Sequence, residues 1–215
     1  MTVAEEAVER KASGLARLLT LAAAARRAID ALGLLMGLVA GWAIVLCAVF
    51  IAAEVVARNL FQVSSQSTTE VSGYMLAFSI AWALAHALTT RNHVRIDVLI
   101  NRLPVGVRVY LHILALALLG VFAAFASYGA IALLDESWDF GATDISLLRT
   151  PLVIPQGLWA FGLVVFLVLI VLMLIESILL LIAGEATEID RRLGPRTYEE
   201  EAEEALHAAG TAEIR

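Results

Sequence analysis

The chain has 215 residues, of which 60% are hydrophobic and 17% are charged, with a formal net charge of −6. Its mean hydropathy of +0.84 is far above that of a soluble domain of this length, so the composition indicates an integral membrane protein. The single cysteine, Cys47, excludes an intramolecular disulfide and argues against a redox protein built on cysteine pairs.

Four apolar runs are long enough to cross a hydrocarbon core, which takes about 20 residues of helix. They cover residues 31–53, 71–90, 109–134 and 151–175, the last with a helical extension to residue 184. The sequence therefore predicts an all-α integral membrane protein with four transmembrane helices.

The polar segments that flank these runs are short. We predict a cytoplasmic N-terminal segment of residues 1–30, a four-helix membrane domain of residues 31–184 and an acidic cytoplasmic tail of residues 185–215. Neither flanking segment is long enough to form a catalytic domain, so we do not expect an enzyme.

The basic residues predict the orientation of the helices. Five lysines and arginines precede the first run, one follows it, four lie in the second loop, one lies in the third loop and four follow the last run. Loops rich in lysine and arginine stay on the cytoplasmic side. We therefore expect both termini and the second loop inside, and the first and third loops outside.

Small residues recur four apart in the first three runs, which places them on one helix face and favours close helix packing. They are Gly33, Gly37 and Gly41 in the first run, Gly73, Ala77, Ala81 and Ala85 in the second, and Gly120, Ala123, Ala124 and Ser127 in the third. The fourth run has no small or polar residue between Leu163 and Leu174. We expect this stretch to face lipid or a broad hydrophobic partner.

Ionisable residues are confined to the ends of the runs. Glu176 is expected at the inner surface as an interfacial charge. At the outer ends, Glu54 and Arg58 have the spacing of a helical ion pair, and Glu70 lies where a carboxylate favours the start of the second helix. Thr68 and Thr69 are the expected capping residues.

Two histidines support an alternative of a different class. His86 and His112 lie at the same depth near the inner surface, as the axial ligands of a haem-binding membrane anchor of a respiratory enzyme would. Interfacial histidines bonded near the lipid headgroups are the simpler interpretation. An unrelated four-span adaptor is a third hypothesis.

The second loop predicts a short amphipathic helix in the inner membrane interface, between the second and third transmembrane helices. Arg91, Arg95 and Arg102 fall on one face at 100° per residue, beside an apolar arc. His93 and Asp97 are spaced as a pair on a further face. A loop that only fixes topology would explain the arginines but not this second spacing.

Three elements together resemble a known family, the small permease subunit, or Q subunit, of the tripartite ATP-independent periplasmic (TRAP) transporters. The elements are the Glu-x-x-x-Arg of Glu54 and Arg58, the acidic start of the second run at Glu70, and Arg91-x-His93-Val94-x-Ile96-Asp97 after it. The similarity covers about residues 30–180.

The resemblance implies sodium-coupled uptake of an organic acid, such as a dicarboxylate, in a bacterial inner membrane. In that family a large membrane subunit holds the solute and sodium sites, and a soluble periplasmic protein delivers the solute. This chain is then expected to be a scaffold for the large subunit and part of the docking surface for the binding protein. It is expected to have no catalytic, solute-binding or metal-binding residue, no cofactor and no nucleic-acid partner. The residues expected to contact partner subunits or membrane lipids are Glu54, Arg58, Glu70, Arg91, His93, Arg95, Asp97 and Arg102.

Overall fold

The computed structural model describes residues 3–64, 67–90, 103–146, 148–194, 202 and 206. The predicted interfacial helix of the second loop lies outside the described residues. Arg91, His93, Arg95, Asp97 and Arg102 lie outside them too. Those predictions therefore stay predictions.

Helices make up almost all of the described chain. They are α1 (Val3–Phe61), α2 (Thr68–Thr89), α3 (Val105–Asp139), α4 (Val153–Ala183) and the short α5 (Ala186–Leu193). Four of them, α1 to α4, are long and apolar enough to cross a membrane. The predicted class and the predicted number of spans are confirmed.

Helix α1 is much longer than the apolar run that predicted it. Its 59 residues continue through residue 31 without a break. At 1.5 Å per residue this helix is about 88 Å long, nearly three times the thickness of a hydrocarbon core. Hydropathy marks the part of α1 that can lie in lipid, whereas the alanine, leucine, glutamate and arginine residues before it also favour helix.

Helix α4 is the centre of the bundle and packs against α1, α2 and α3. Within the stretch from Leu163 to Leu174, the buried side chains are Leu163, Val165, Phe166, Leu169, Ile170 and Met173. The prediction that this stretch faces lipid or a partner is therefore wrong for most of its surface, although Val168 and Val171 remain exposed. Lipid tails are as apolar as leucine, so a run without small residues suits the interior of a bundle as well as its surface.

The small residues predicted to mediate close packing do so at some positions. On α1, a Cβ atom added to Gly33 would lie 3.5 Å from the Cβ of Ala85, and one added to Gly37 would lie 3.0 Å from the Cβ of His86. A Cβ atom added to Gly120 on α3 would lie 3.2 Å from Cγ2 of Ile170 on α4. Gly41, by contrast, has open space beside it. Of the three glycines that repeat along α1, Gly33 and Gly37 therefore contact α2 as predicted, and Gly41 does not.

Glycines in the left-handed conformation end α3 and α4. Gly184 has φ of +82°, and the amide of Glu185 donates to the carbonyl of Leu180 at 3.0 Å, as in a Schellman motif. Gly141, with φ of +56°, ends α3 in the same way. The turn at Gly184 sends the chain back, so that α5 packs on α3 and α4.

Replacing Gly184 by alanine is expected to loosen this turn, because a Cβ atom in the left-handed region costs about 1 to 2 kcal/mol. We expect faster amide hydrogen exchange in residues 186–193 and little change within α1 to α3. The matched control is Gly73→Ala, at a helical glycine with open space beside it. Equal exchange in the two variants would contradict the expectation.

Candidate functional site

The ionisable residues lie at the two ends of the bundle. Residues 31–53, 71–85, 113–134 and 153–175 contain no aspartate, glutamate, lysine, arginine or histidine. We name the end that carries Glu176 the inner end and the end that carries Glu70 the outer end, following the predicted orientation. Each end holds a cluster of paired polar side chains.

At the inner end, Glu176 of α4 is buried, with 4% of its surface exposed. The Nε atom of Arg26 on α1 lies 3.2 Å from its Oε2 atom, and Arg192 of α5 donates from Nη1 to its Oε1 atom. A buried carboxylate is tolerated when it is paired with cationic groups and accepts a charged hydrogen bond, as Glu176 does from Arg192. The expectation of an interfacial charge is wrong, because Glu176 is buried and paired with arginines of two other helices.

A second carboxylate, Asp190 of α5, faces the start of α3. Arg108 donates from Nη2 to Asp190 Oδ2 at 2.7 Å, and the Nε2 atom of His112 lies 3.6 Å from Asp190 Oδ1. Beside these charges, Ile189 and Leu193 of α5 are buried in the main hydrophobic core. Helix α5 is therefore attached to the bundle by both apolar and charged side chains.

Glu188 connects the two arginines of α5. Its carboxylate accepts from Arg191 at 2.8 and 2.7 Å and from Arg192 at 2.6 Å. The hydrogen bonds from Arg191 and then Arg192 lower the pKa of Glu188 to about 2. Arg192 is thus held between Glu188 of its own helix and Glu176 of α4.

The predicted outer residues are close to the ends of α1 and α2. Glu54 accepts a hydrogen bond from the hydroxyl of Ser64 at 2.8 Å, and Arg58 lies exposed in the last turn of α1. Their predicted ion pair stays a prediction. Glu70 lies in the first turn of α2 as predicted, but the capping position is Ser67 and not Thr68 or Thr69.

The loop between α3 and α4 is fastened to α2 at this end. The hydroxyl of Tyr74 donates to the carboxylate of Asp144, and the amide of Asp144 donates to the carbonyl of Thr150 at 3.0 Å. The Tyr74 hydrogen bond lowers the pKa of Asp144, helped by the backbone amides of Ile145 and Ser146. These hydrogen bonds therefore attach the loop to α2, one turn after Glu70.

Replacing Tyr74 by phenylalanine is expected to release this loop and to return the pKa of Asp144 toward its ordinary value of 3.8. A carboxyl group whose pKa is lowered by folding stabilises the folded state above its unfolded pKa and loses that effect as the pH falls through the folded pKa. The stability difference between wild type and Tyr74→Phe should thus be constant near pH 7 and shrink below about pH 4. Thermal unfolding in detergent at a series of pH values measures it.

The control for this experiment is Tyr128→Phe, which removes a hydroxyl from an exposed tyrosine on α3. We expect Tyr128→Phe to unfold as wild type does at every pH. A Tyr74→Phe difference that stays the same down to pH 2 would contradict the assigned hydrogen bond.

The two histidines contact different parts of the fold. His86 lies against Gly37 of α1, whereas His112 faces Asp190 of α5. Axial haem ligation would need the two imidazoles to face one another. This placement does not favour the haem alternative.

The sequence did not reveal which charges pair at the inner end. Arg26, Glu176 and Arg192 belong to three helices, and no spacing rule links residues so far apart. One local signal was available, because Ile189 and Leu193 are four apart in a short charged segment that follows Gly184. That pattern is typical of a helix with one apolar face.

One comparison with known proteins identifies the chain. Residues 47–182 match the family model described as Tripartite ATP-independent periplasmic transporters, DctQ component. No curated protein and no solved structure matches the chain. The matched range begins inside α1 and ends in the last turn of α4, so it includes most of the membrane bundle. The chain therefore belongs to the DctQ family, the small membrane component of TRAP transporters.

Proposed function

We propose that this chain is the static scaffold of its transporter and forms no part of the solute pathway. The observation that carries the proposal is that α1 to α4 are unbroken while their central segments hold no ionisable residue. Solute and ion pathways through membranes are usually built from intramembrane charges or interrupted helices. A bundle that has neither is suited to brace a moving partner.

The large membrane subunit is the proposed partner of the exposed apolar faces. Helix α3 packs on α4 along one side, and its other side carries Phe122, Phe125 and Tyr128, of which Phe125 is 78% exposed. Helix α1 carries a similar face that includes Leu38 and Trp42. Lipid can cover these faces too. Aromatic side chains such as Phe125 and Trp42, however, are enriched in protein–protein interfaces, because they bury a large area and lose little conformational entropy.

The outer end is proposed as part of the docking surface for the periplasmic binding protein. The loop fastened by Tyr74 and Asp144 presents Ile145, which is 101% exposed, and Leu148. A loop that is already ordered loses less entropy on binding than a flexible one. Glu54, Arg58 and Glu70 complete the proposed polar rim of this surface.

The second loop is proposed as a brace at the inner membrane surface. Arg91, Arg95 and Arg102 would contact anionic lipid or the large subunit, and His93 and Asp97 would form a pair beside them. This assignment requires both termini to be cytoplasmic, as the distribution of basic residues predicts.

The transported solute is proposed to be an organic acid such as a dicarboxylate, taken up across a bacterial inner membrane with sodium. The sodium and solute sites would lie on the large subunit. The family membership supports this proposal, and this chain is not expected to contact the solute.

Reconstitution of the three components tests the scaffold role. Proteoliposomes that hold this chain alone should not accumulate a labelled C4-dicarboxylate, whereas those with the large subunit and the binding protein should do so under an inward sodium gradient. Accumulation by this chain alone would refute the scaffold.

Charge reversal at Arg95 and Arg102 should reduce assembly with the large subunit, or lipid association, more than it changes solute affinity. The opposite result would refute the proposed brace.

A further inference from the structure

Helix α5 is too short to be stable by itself. It has eight residues, and an isolated helix of that length is marginal in water because nucleation is unfavourable. Its helical form therefore depends on its contacts with the bundle. Only two of its side chains, Ile189 and Leu193, are buried.

The charged contacts of α5 are directed at two different helices. Asp190 receives the guanidinium of Arg108 on α3, and Arg192 donates to the buried carboxylate of Glu176 on α4. An acidic side chain thus meets a basic partner on one side, and a basic side chain meets an acidic partner on the other. This complementarity fixes the rotation of α5 as well as its position.

The buried Glu176 carboxylate also reaches α1, through Arg26 at 3.2 Å. Arg26 and α5 both lie outside the range that the family model matches, whereas Glu176 lies inside it. One carboxylate of the matched bundle therefore joins the long N-terminal part of α1 to the segment that follows α4.

We propose that α5 is a latch held by charge. In its docked position the ion pairs at Glu176 and Asp190 fasten the segment after α4 to the inner ends of α1 and α3. When either pair is lost, the apolar contacts of Ile189 and Leu193 hold the helix less firmly, and α5 opens from the bundle about ten times more often. The turn at Gly184 is the hinge of this latch.

Amide hydrogen exchange on the full chain in lipid nanodiscs tests the latch. Arg192→Gln and Asp190→Asn should each raise exchange across residues 186–193 roughly tenfold, which corresponds to the loss of one charge-assisted hydrogen bond. Exchange in α2 and α3 should stay slow. Asp190→Asn is the variant that is safer for folding, because it leaves Glu176 paired with Arg192.

Arg191→Gln is the matched control. It removes the same charge from the neighbouring position, where the side chain is 71% exposed and pairs with Glu188 of the same helix. We expect less than a twofold rise in exchange. Equal exchange in Arg191→Gln and Arg192→Gln, or unchanged exchange in Asp190→Asn, would overturn the proposal.

A double variant separates the charge contact from local helix stability. If Glu176 and Arg192 act together, Arg192→Gln in a Glu176→Gln background should raise exchange in α5 by a smaller factor than it does in wild type. Equal factors in the two backgrounds would show that Arg192 acts within α5 alone, and this outcome would also overturn the latch.

Discussion

Replacing Gly162 by alanine is expected to destabilise the bundle by about 1 to 3 kcal/mol, the usual range for an overpacked interior. A Cβ atom at this position would lie 2.7 Å from Cδ1 of Trp82 and 2.9 Å from the backbone carbonyl carbon of Ala81. The second contact cannot be relieved by a side-chain rotation, so α2 and α4 must move apart. Unfolding by titration with a denaturing detergent measures the loss.

The expected separation of α2 and α4 also strains a hydrogen bond. The Nε1 atom of Trp82 donates to the carbonyl oxygen of Leu158, one turn before Gly162 on α4, at 2.7 Å. Losing such a bond adds about 0.5 to 1.5 kcal/mol. Gly162→Leu, which has a larger side chain at the same contact, should therefore be more harmful than Gly162→Ala.

Gly129→Ala is the control for this prediction. Gly129 lies within α3 with open space beside it, so an added Cβ atom meets no atom of the described chain. Alanine has a higher helix propensity than glycine, so this variant should be as stable as wild type or up to about 1 kcal/mol more stable. The same loss in both variants would show that the α2–α4 contact is not as close as the structure gives it.

Gly162 also shows why the packing of the helices was only partly predictable. Small residues that repeat four apart predict close helix contacts, and Gly33 and Gly37 do contact α2. Gly73 belongs to such a repeat and has open space, whereas Gly162 belongs to none and lies at a very close contact. Two helices can approach closely with one small residue at the point of closest contact, and a single glycine gives no periodic signal.

Hydropathy predicted the spans well but not the central position of α4. The four membrane-spanning helices follow from the length of each apolar run, which is a property of the local sequence. Which of them is buried depends on the neighbours, since the lipid and the interior of a bundle are equally apolar. Leu169 and Ile170 are fully buried although nothing in their local sequence separates them from the exposed Val168 and Val171.

The candidate site was predictable in the same limited way. Charge placement identified both polar ends, and it put Glu54 and Glu70 at the ends of consecutive helices, where the structure also has them. The three partners at the inner end, Arg26, Glu176 and Arg192, are brought together only by the tertiary packing of α1, α4 and α5. The family was identified from its motifs, and the match over residues 47–182 confirms it.

Replacing Glu176 by alanine is the second change with a large expected effect. It removes the carboxylate that Arg26 and Arg192 share, so that Arg26 is left with Asp30 of its own helix at 3.9 Å and Arg192 is left with Glu188 at 2.6 Å. Removing one partner of a buried ion pair usually costs about 3 to 5 kcal/mol. The loss should be near the lower limit, because the side chains of the two arginines are 29% and 31% exposed and water can reach them. Unfolding in a denaturing detergent measures it.

Three further variants test whether the lost ion pairing at Glu176 is the cause. Arg26→Gln should destabilise the chain, whereas Arg27→Gln, at the exposed neighbouring position, should change its stability by less than about 0.5 kcal/mol. A triple replacement of Arg26, Glu176 and Arg192 by methionine should recover much of the stability lost in Glu176→Ala, because apolar side chains of similar volume can replace a buried ion pair. If the triple variant is less stable than Glu176→Ala, the loss of the Glu176 partner is not the main cause, and the remaining ionic contacts of the two arginines themselves stabilise the fold.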